Sequence, residues 1–343
     1  MTNGLSGPRK QFLDVLRVLA TCAVVLMHVL TGATDVTDAS IVPEYRSLLL
    51  SVMDLVTWCV PIFLLISGYL FLNPERTLTY PVMIKKYCRR IALAILLFGV
   101  PYAASELVVA ERTFRIRMIP EALKMTLTGH TWSHMWYLYL ILFLYLITPL
   151  LKKVLRVLPV WGVAAVMAVI FLGSSVAPFL NKVLDVNSIP VLPDGGVYFL
   201  YYLCGYFFAV REVCVDKGRN VWLTAAVAVL ALGMILSRTL AGFSIQMAYN
   251  YPFTVLLAVL LFAAGWNGSI KKHRIPWQEA GALSFAVYLV HPVYVNLLYK
   301  FVKITPFTVL EQCGVQSVAA GQAVLILLLA AFCLVVLALA TAT

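Results

Sequence analysis

The first apolar stretch, residues 11–32 (QFLDVLRVLATCAVVLMHVLTG), constrains the fold more than any other part of the chain. It is long enough to cross a bilayer as an α-helix, which takes about 20 residues, yet it contains Asp14, Arg17 and His28. Each ionisable group in a membrane costs roughly 2.5–3.5 kcal/mol on insertion, so such groups usually face a bundle interior or a water-filled cavity. The stretch therefore predicts a transmembrane helix with a polar inner face.

The spacing of the polar residues places them on one side of this helix. At about 100° per residue, Asp14 and Arg17 lie about 60° apart, and Arg17 and His28 are three turns plus about 20° apart. Thr21 falls on the same side, and about 16 Å of helix axis separates Arg17 from His28. Two interpretations follow: a functional site, or an Asp14–Arg17 pair that holds the bundle together beside a hydrogen-bonded His28.

The composition indicates a chain that lies mostly in the membrane. Of its 343 residues, 62% are hydrophobic and only 12% are charged, against about 25% charged residues in soluble domains. The net charge of +11 indicates basic cytoplasmic loops rather than nucleic-acid binding. Seven scattered cysteines have no metal-ligand spacing, and no metal site is expected. We expect an all-α, polytopic transmembrane helical bundle that forms one domain over residues 1–343.

Apolar runs predict about ten membrane spans, the sixth of them short and the ninth interrupted by Pro292. Basic loops stay in the cytoplasm, and most of the basic residues fall inside when both termini are cytoplasmic. We expect a plasma-membrane protein of this topology, with a short amphipathic helix on the outer surface within 109–133. The predicted spans are 11–32, 47–73, 88–108, 134–151, 158–180, 197–210, 220–238, 249–266, 280–300 and 319–341.

Two segments supply polar groups near the predicted cytoplasmic side. The second span contains Asp54, is bent by Pro61, and ends with Ser67 and Tyr69 around a glycine that allows close approach of a ligand or a backbone; helix packing explains the same residues equally well. The next loop has four cations that can bind phosphates through charge-assisted hydrogen bonds, or simply anchor the loop to lipid headgroups. These cations are Lys85, Lys86, Arg89 and Arg90.

Two further spans carry candidate site residues. The fourth span begins with HMWYLYL, in which Trp136 and Tyr139 either bind a substrate or belong to the aromatic belt of the membrane interface. In the ninth span, Ser284, Tyr288 and His291 share a helix face. His291 precedes Pro292, which cannot donate to the helix, and a break beside an intramembrane histidine indicates a cavity or a histidine that satisfies the broken helix.

Taken together, these stretches resemble the acyltransferase 3 family of bacterial membrane O-acyltransferases. The resemblance rests on LDVLRVLATCAVVLMH, VPIFLLISGYLF, KKYCRR, HMWYLYLILFLYLITPLL and SFAVYLVHP, which occur in the family's order. It implies transfer of an acyl group, commonly acetyl from acetyl-CoA, to a hydroxyl on a cell-envelope sugar or similar acceptor. It also implies that Arg17 and His28 are tied to activity and that Arg89 and Arg90 lie at the CoA end.

Acyl transfer makes three demands, and the chain has residues for each. A base takes the acceptor proton, for which His28 fits, with His291 as its partner or a second base; alternatively, His28 carries the acyl group itself. The oxyanion needs donors such as Arg17, Tyr69 or Tyr288, with Asp14 orienting Arg17. The CoA phosphates need the four-cation loop, with Ser67 and Tyr69 beside it. Candidate acceptor contacts are Trp136, Tyr139, Tyr288 and Asp54.

By its length and its end at Thr343, the chain also resembles the membrane domain of the membrane-bound serine racemases of vancomycin resistance. That resemblance implies a further cytoplasmic domain, outside this sequence, that uses pyridoxal phosphate. Serine transport is then an alternative, with His28, Asp54 and His291 as proton or substrate sites at a broken helix. A bare membrane anchor is a third interpretation, although an anchor needs no ionisable groups in its first span.

Overall fold

The computed structural model describes residues 11–37, 42–210, 217–240, 248–267 and 276–343. These residues form helices joined by turns and short loops, and they contain no β-strand, as the apolar runs predict. Some residues used in the sequence analysis lie outside the described residues: Arg9, Lys10, Arg211, Cys214, Lys271, Lys272 and Arg274.

The helices of the first half are long and interrupted by short irregular turns. A π-helical segment at Met83–Cys88 precedes α5, and a 3₁₀ turn at Ser133–Met135 precedes α7. The helices are α1 (Gln11–Thr37), α2 (Pro43–Val56), α3 (Cys59–Phe71), α4 (Tyr80–Val82), α5 (Arg89–Glu111), α6 (Met118–Leu127) and α7 (Trp136–Val157).

The second half repeats this pattern. π-Helical segments at Leu172–Val176 and Leu297–Phe301 follow α8 and α13. The helices are α8 (Val160–Phe171), α9 (Ala177–Val183), α10 (Gly195–Val210), α11 (Lys217–Leu240), α12 (Pro252–Asn267), α13 (Trp277–Asn296), α14 (Pro306–Gln312) and α15 (Val318–Ala342).

Among the described residues, seven helical runs are long and apolar enough to cross a membrane, judged by length and composition. Three shorter apolar helices, within α10, α11 and α12, fall below that length. The multi-span prediction is therefore supported, whereas the number of about ten spans stays a prediction. The helix predicted within the 109–133 loop is present as α6.

Proline affects two of the predicted spans differently. The second span is divided into α2 and α3 by a turn at Thr57–Trp58, because Pro61 has no N–H to donate to the carbonyl of Thr57. The predicted interruption at Pro292 is wrong, since α13 continues through it to Asn296. Proline removes only one backbone hydrogen bond, and burial of α13 on both sides of Pro292 holds the helix together.

The chain divides into two compact units. The first comprises the described parts of Met1–Ile66, Ala168–Cys204 and Glu212–Thr343, and the second those of Ser67–Met167 and Gly205–Arg211. In the first unit, α1 packs along α13, and both pack against α15. Apolar side chains of α1, α2, α13, α14 and α15 form its core, among them Val29, Leu49, Val295, Phe307 and Leu329. In the second unit, α5 packs against α6 and α7.

Two glycines allow α1 and α13 to approach closely. A Cβ atom on Gly281 would lie 3.1 Å from the Asp14 Cβ and 3.3 Å from its Cα, and one on Gly32 would lie 3.0 Å from Val295 and Tyr299 side-chain atoms. Since the start of α1 meets the start of α13 and the later parts also meet, the two helices run parallel. The Tyr299 hydroxyl donates to the Val29 carbonyl at 3.2 Å and ties their later parts together.

We expect Gly281→Ala to destabilise the protein by about 1–3 kcal/mol, because the added methyl group must push α13 away from the α1 backbone. The measurement is thermal unfolding of the purified protein in detergent. Gly233→Ala is the matched control, since nothing lies within 4 Å of a Cβ added at this helical glycine of α11. Equal melting temperatures for the two variants would contradict the close-packing argument.

Candidate active site

An ion pair lies at the start of α1, as the spacing predicts. Arg17 Nη1 donates to Asp14 Oδ1 at 2.8 Å, and the Asp14 side chain is 2% exposed while that of Arg17 is 24% exposed. The Thr21 hydroxyl donates to the Arg17 carbonyl at 2.8 Å. Since Gly281 of α13 packs directly on Asp14, the carboxylate is enclosed between the two helices.

Two imidazoles form the second polar feature of this helix pair. The rings of His28 on α1 and His291 on α13 are edge to face, with centroids 4.8 Å apart and planes at 76°. His291 is fully buried, and His28 is half-buried. The ring of Tyr288 lies 6.2 Å from that of His291. The pairing could not be read from the sequence, because it depends on α13 lying against α1.

Hydrogen bonds assign the same tautomer to both histidines. His28 Nδ1 is 2.9 Å from the Val24 carbonyl, and His291 Nδ1 is 3.0 Å from the Val287 carbonyl. A carbonyl oxygen only accepts, so each Nδ1 carries a proton, and Nε2 is the atom of each ring that can gain or lose one. Nε2 is therefore the basic atom on both rings.

The ion pair and the imidazole pair are separate features. α1 is one continuous helix, so the eleven residues from Arg17 to His28 span about 16 Å along its axis. Of the expected oxyanion donors in the first unit, Tyr288 lies beside the imidazoles, whereas Arg17 lies near the other end of α1. Asp54, also in this unit, is buried within α2 three residues before the turn at Thr57.

The predicted phosphate-binding cations lie in the second unit, on or beside its π-helical segment. All four are exposed: Lys85, Lys86, Arg89 and Arg90. The Lys86 ammonium lies 5.6 Å from the centre of the Tyr87 ring, and Met83 and Cys88 anchor the segment by burial. The other two residues predicted for this site, Ser67 and Tyr69, are buried in α3.

Two cations near this segment were missed by the sequence analysis as site residues. Arg76 Nη2 donates to the Tyr87 hydroxyl at 2.7 Å, and Arg76 Nη1 donates to the Leu70 carbonyl at 3.1 Å. Lys152 of α7 is buried and donates to the Asn73 carbonyl. The only sequence signal was their place at predicted cytoplasmic ends, which many basic residues share.

The two aromatic candidates of the fourth span also lie in the second unit. The Tyr139 hydroxyl donates to the Thr126 carbonyl at 2.5 Å, so this side chain ties α7 to α6. Trp136 is half-buried, and its ring lies 6.2 Å from that of Tyr137. In the structure, Tyr139 therefore has a packing role, and its binding of an acceptor stays a prediction.

The fold and these features define a class of protein. Apolar helices of membrane-spanning length surround a buried ion pair and a pair of basic imidazoles, and such groups inside a membrane segment generally mark a functional site. The molecule is a helical, multi-pass membrane protein with ionisable groups between its helices.

The family model for an acyltransferase domain, acyltransferase 3, matches residues 10–343. The chain therefore belongs to the acyltransferase 3 family, as its motifs indicate, and is a membrane acyltransferase. No curated protein and no solved structure matches the chain.

We expect Arg17→Met to destabilise the protein more than Asp14→Ala does. Removing Arg17 leaves a buried carboxylate without this cation, at a cost of about 3–5 kcal/mol, whereas Arg17 in the Asp14→Ala variant keeps partial access to solvent. The measurement is thermal unfolding of both variants and of the Asp14→Ala/Arg17→Met double variant. The double variant should recover part of the loss; strictly additive losses would show that the pair is not coupled.

Proposed function

We propose that this protein moves an acetyl group from acetyl-CoA to a hydroxyl or amine acceptor at the membrane or cell envelope. The observation that supports this proposal is the His28–His291 pair, whose Nε2 atoms are basic, within a chain of an acyltransferase family. We further propose a plasma-membrane location with both termini in the cytoplasm, so that cytoplasmic acetyl-CoA is the acyl donor.

In this proposal His28 is the general base. Its Nε2 takes the proton of the acceptor hydroxyl while the acceptor oxygen attacks the thioester carbonyl carbon. The Tyr288 hydroxyl is the nearby donor for the oxyanion that forms. When the carbon–sulfur bond breaks, His28 returns the proton to the CoA sulfur, so the enzyme ends in its starting state.

His291 is a proton partner for His28. Two neighbouring imidazoles disfavour a second positive charge, so the pair takes up protons in coupled steps. A proton taken by His28 therefore makes it harder for His291 to take a second one. The Nδ1–carbonyl hydrogen bonds fix both rings, so the basic atoms need no reorientation during the reaction.

The exposed cations of the second unit have a different role in this proposal, which is to bind the acyl donor. Lys85, Lys86, Arg89 and Arg90 can bind the phosphates of the donor through charge-assisted hydrogen bonds. Their concentration on one segment of helix favours a polyanionic ligand over a single phosphate.

We expect His28→Gln to lower the rate of acetyl transfer by about 10²- to 10⁴-fold, the usual contribution of a general base. CoA binding should stay within about threefold of the unmodified protein, a change of only about 0.7 kcal/mol, because His28 is not one of the proposed phosphate-binding residues. His291→Gln should lower the rate less and change the pH profile, because His28 then titrates without its neighbour. The measurement is acetyl transfer from acetyl-CoA against pH, with CoA binding measured in parallel.

His130→Gln is the matched control for the histidine variants. His130 is exposed in the second unit and contacts the Thr128 hydroxyl at 3.0 Å, so its loss should leave the rate and the pH profile unchanged. Full activity of His28→Gln would rule out the general-base role. Vesicle uptake of serine that needs His28 but no acetyl-CoA would favour transport.

We expect Arg89→Ala/Arg90→Ala to weaken binding of acetyl-CoA by about 10-fold or more, because charge-assisted hydrogen bonds contribute roughly 1.5–3 kcal/mol each. Binding should also become less sensitive to salt. Isothermal titration calorimetry on the purified protein in detergent measures both effects.

Arg115→Ala/Arg117→Ala is the matched double control. Both arginines are exposed and approach the same carboxylate oxygen of Glu111, at 3.4 and 3.5 Å, and neither belongs to the four-cation segment. Equal loss of acetyl-CoA binding in both double variants would show a general charge effect rather than a phosphate site.

A further inference from the structure

The turn that follows α3 gathers two cations of the second unit. Arg76 reaches back from the turn to the Leu70 carbonyl, and Lys152 reaches the Asn73 carbonyl from α7. Both cations thus bind the same short segment, residues 70–76. Arg156 and Arg76 both place positive charge near Lys152.

Burial sets these two cations apart from the exposed ones. Lys152 is 5% exposed and Arg76 is half-buried, whereas the adjacent Lys153 is exposed. A buried charge without a counter-charge costs several kcal/mol, so buried lysines are almost always paired. A negative partner would therefore stabilise the charged form of Lys152.

The described part of the chain provides no such partner. Neither Lys152 nor Arg76 forms an ion pair with a carboxylate of the described residues. Glu75 is the only acidic residue in 70–90, and it is exposed. The two cations therefore add positive charge at one place without local compensation.

Aromatic rings hold the Arg76 side chain in place. Its guanidinium carbon lies 5.2 Å from the centre of the Phe71 ring and 5.8 Å from that of Tyr87. Phe71 in turn packs edge to face on Tyr87 and Tyr145, at 4.8 and 4.7 Å between centroids. A cation held by stacking and by two hydrogen bonds is ordered before any ligand arrives, which lowers the entropy cost of binding.

Capping of α3 is the structural alternative. Lys152 and Arg76 donate to carbonyls at the end of α3 and just after it, and cations are favourable there. Capping uses one of three lysine donors and one of five arginine donors, and the Tyr87 hydroxyl accepts from a second arginine donor, so most N–H groups are left for another acceptor. Capping alone also does not explain two cations at one helix end without a counter-charge.

We infer that Arg76 and Lys152 form a binding site for a phosphate or diphosphate group. This inference rests on the proposed function for the origin of that group, the diphosphate of the acyl-CoA donor. The headgroup of an anionic lipid presents the same chemistry. The site differs from the exposed four-cation segment because its lysine is buried and its arginine is fixed.

The test uses the purified full chain in detergent at about 0.15 M salt, where exposed charges are screened beyond about 8 Å. Calorimetry and thermal shift measure binding of CoA, inorganic pyrophosphate and short-chain phosphatidylglycerol. The variants are Lys152→Met and Arg76→Gln, and Lys153→Met is the matched control. We expect both site variants to weaken CoA and pyrophosphate binding by about 10- to 100-fold and the control to leave it unchanged.

Thermal unfolding separates ligand binding from capping. If Lys152 binds an anion, Lys152→Met removes an uncompensated charge, so the ligand-free variant should melt no lower than the unmodified protein and pyrophosphate should no longer raise its melting temperature. If Lys152 only caps α3, the variant melts lower and pyrophosphate has equal effects on both proteins. That second result would overturn the inference.

The ligands distinguish failure of the inference from failure of the proposed function. CoA binding that is equal in all variants overturns the inference and leaves acyl transfer standing. Absence of CoA binding, with Lys152-dependent binding of pyrophosphate and phosphatidylglycerol, supports the site as a lipid-headgroup site and contradicts the CoA donor. If Lys152→Met does not fold, the inference is tested by ligand binding to Arg76→Gln and by competition between pyrophosphate and CoA for the unmodified protein. Lack of competition overturns the inference.

Discussion

The close parallel packing of α1 against α13 is the contact on which the candidate active site depends. Gly281 and Gly32 permit this close contact. Different polar groups lie along the two ends of the helix pair. Near the start of α1 it encloses the Asp14 carboxylate, and further along it places His28 beside His291. Membrane helices gain little from hydrophobic burial against each other, so close contact at small residues supplies much of their association. The same glycines therefore serve packing and chemistry together.

The parts of this site that lie within one helix could be predicted from sequence, and the parts that need two helices could not. Helical periodicity predicts that Asp14 and Arg17 meet, and they do. It cannot predict that His291 meets His28, because that contact depends on which helices are neighbours. Nor does it separate Lys152 from Lys153, which are adjacent in sequence but buried and exposed respectively. The family motifs indicate candidate residues, and tertiary packing decides their partners.

Hydrogen bonding also limits what the imidazoles can do. Because each Nδ1 is bonded to a carbonyl of its own helix, neither ring can use that atom for chemistry without breaking a local contact. The reactive atom is thereby restricted to Nε2 on both rings. A neutral pair is also the form that an apolar bundle tolerates best, since burial disfavours charge. A neutral pair is also the form that the proposed general-base role requires.

The buried charges of the two units differ in how they are compensated, and that difference separates structure from ligand binding. Asp14 has Arg17 within hydrogen-bond distance, so the pair is nearly neutral and can remain in an apolar environment without a ligand. Lys152 and Arg76 are both positive and bind only carbonyl, hydroxyl and aromatic groups among the described residues. An internally neutral pair is suited to hold helices together. An uncompensated pair of cations is most stable when an anion is bound, which is the physical basis of the inferred phosphate site.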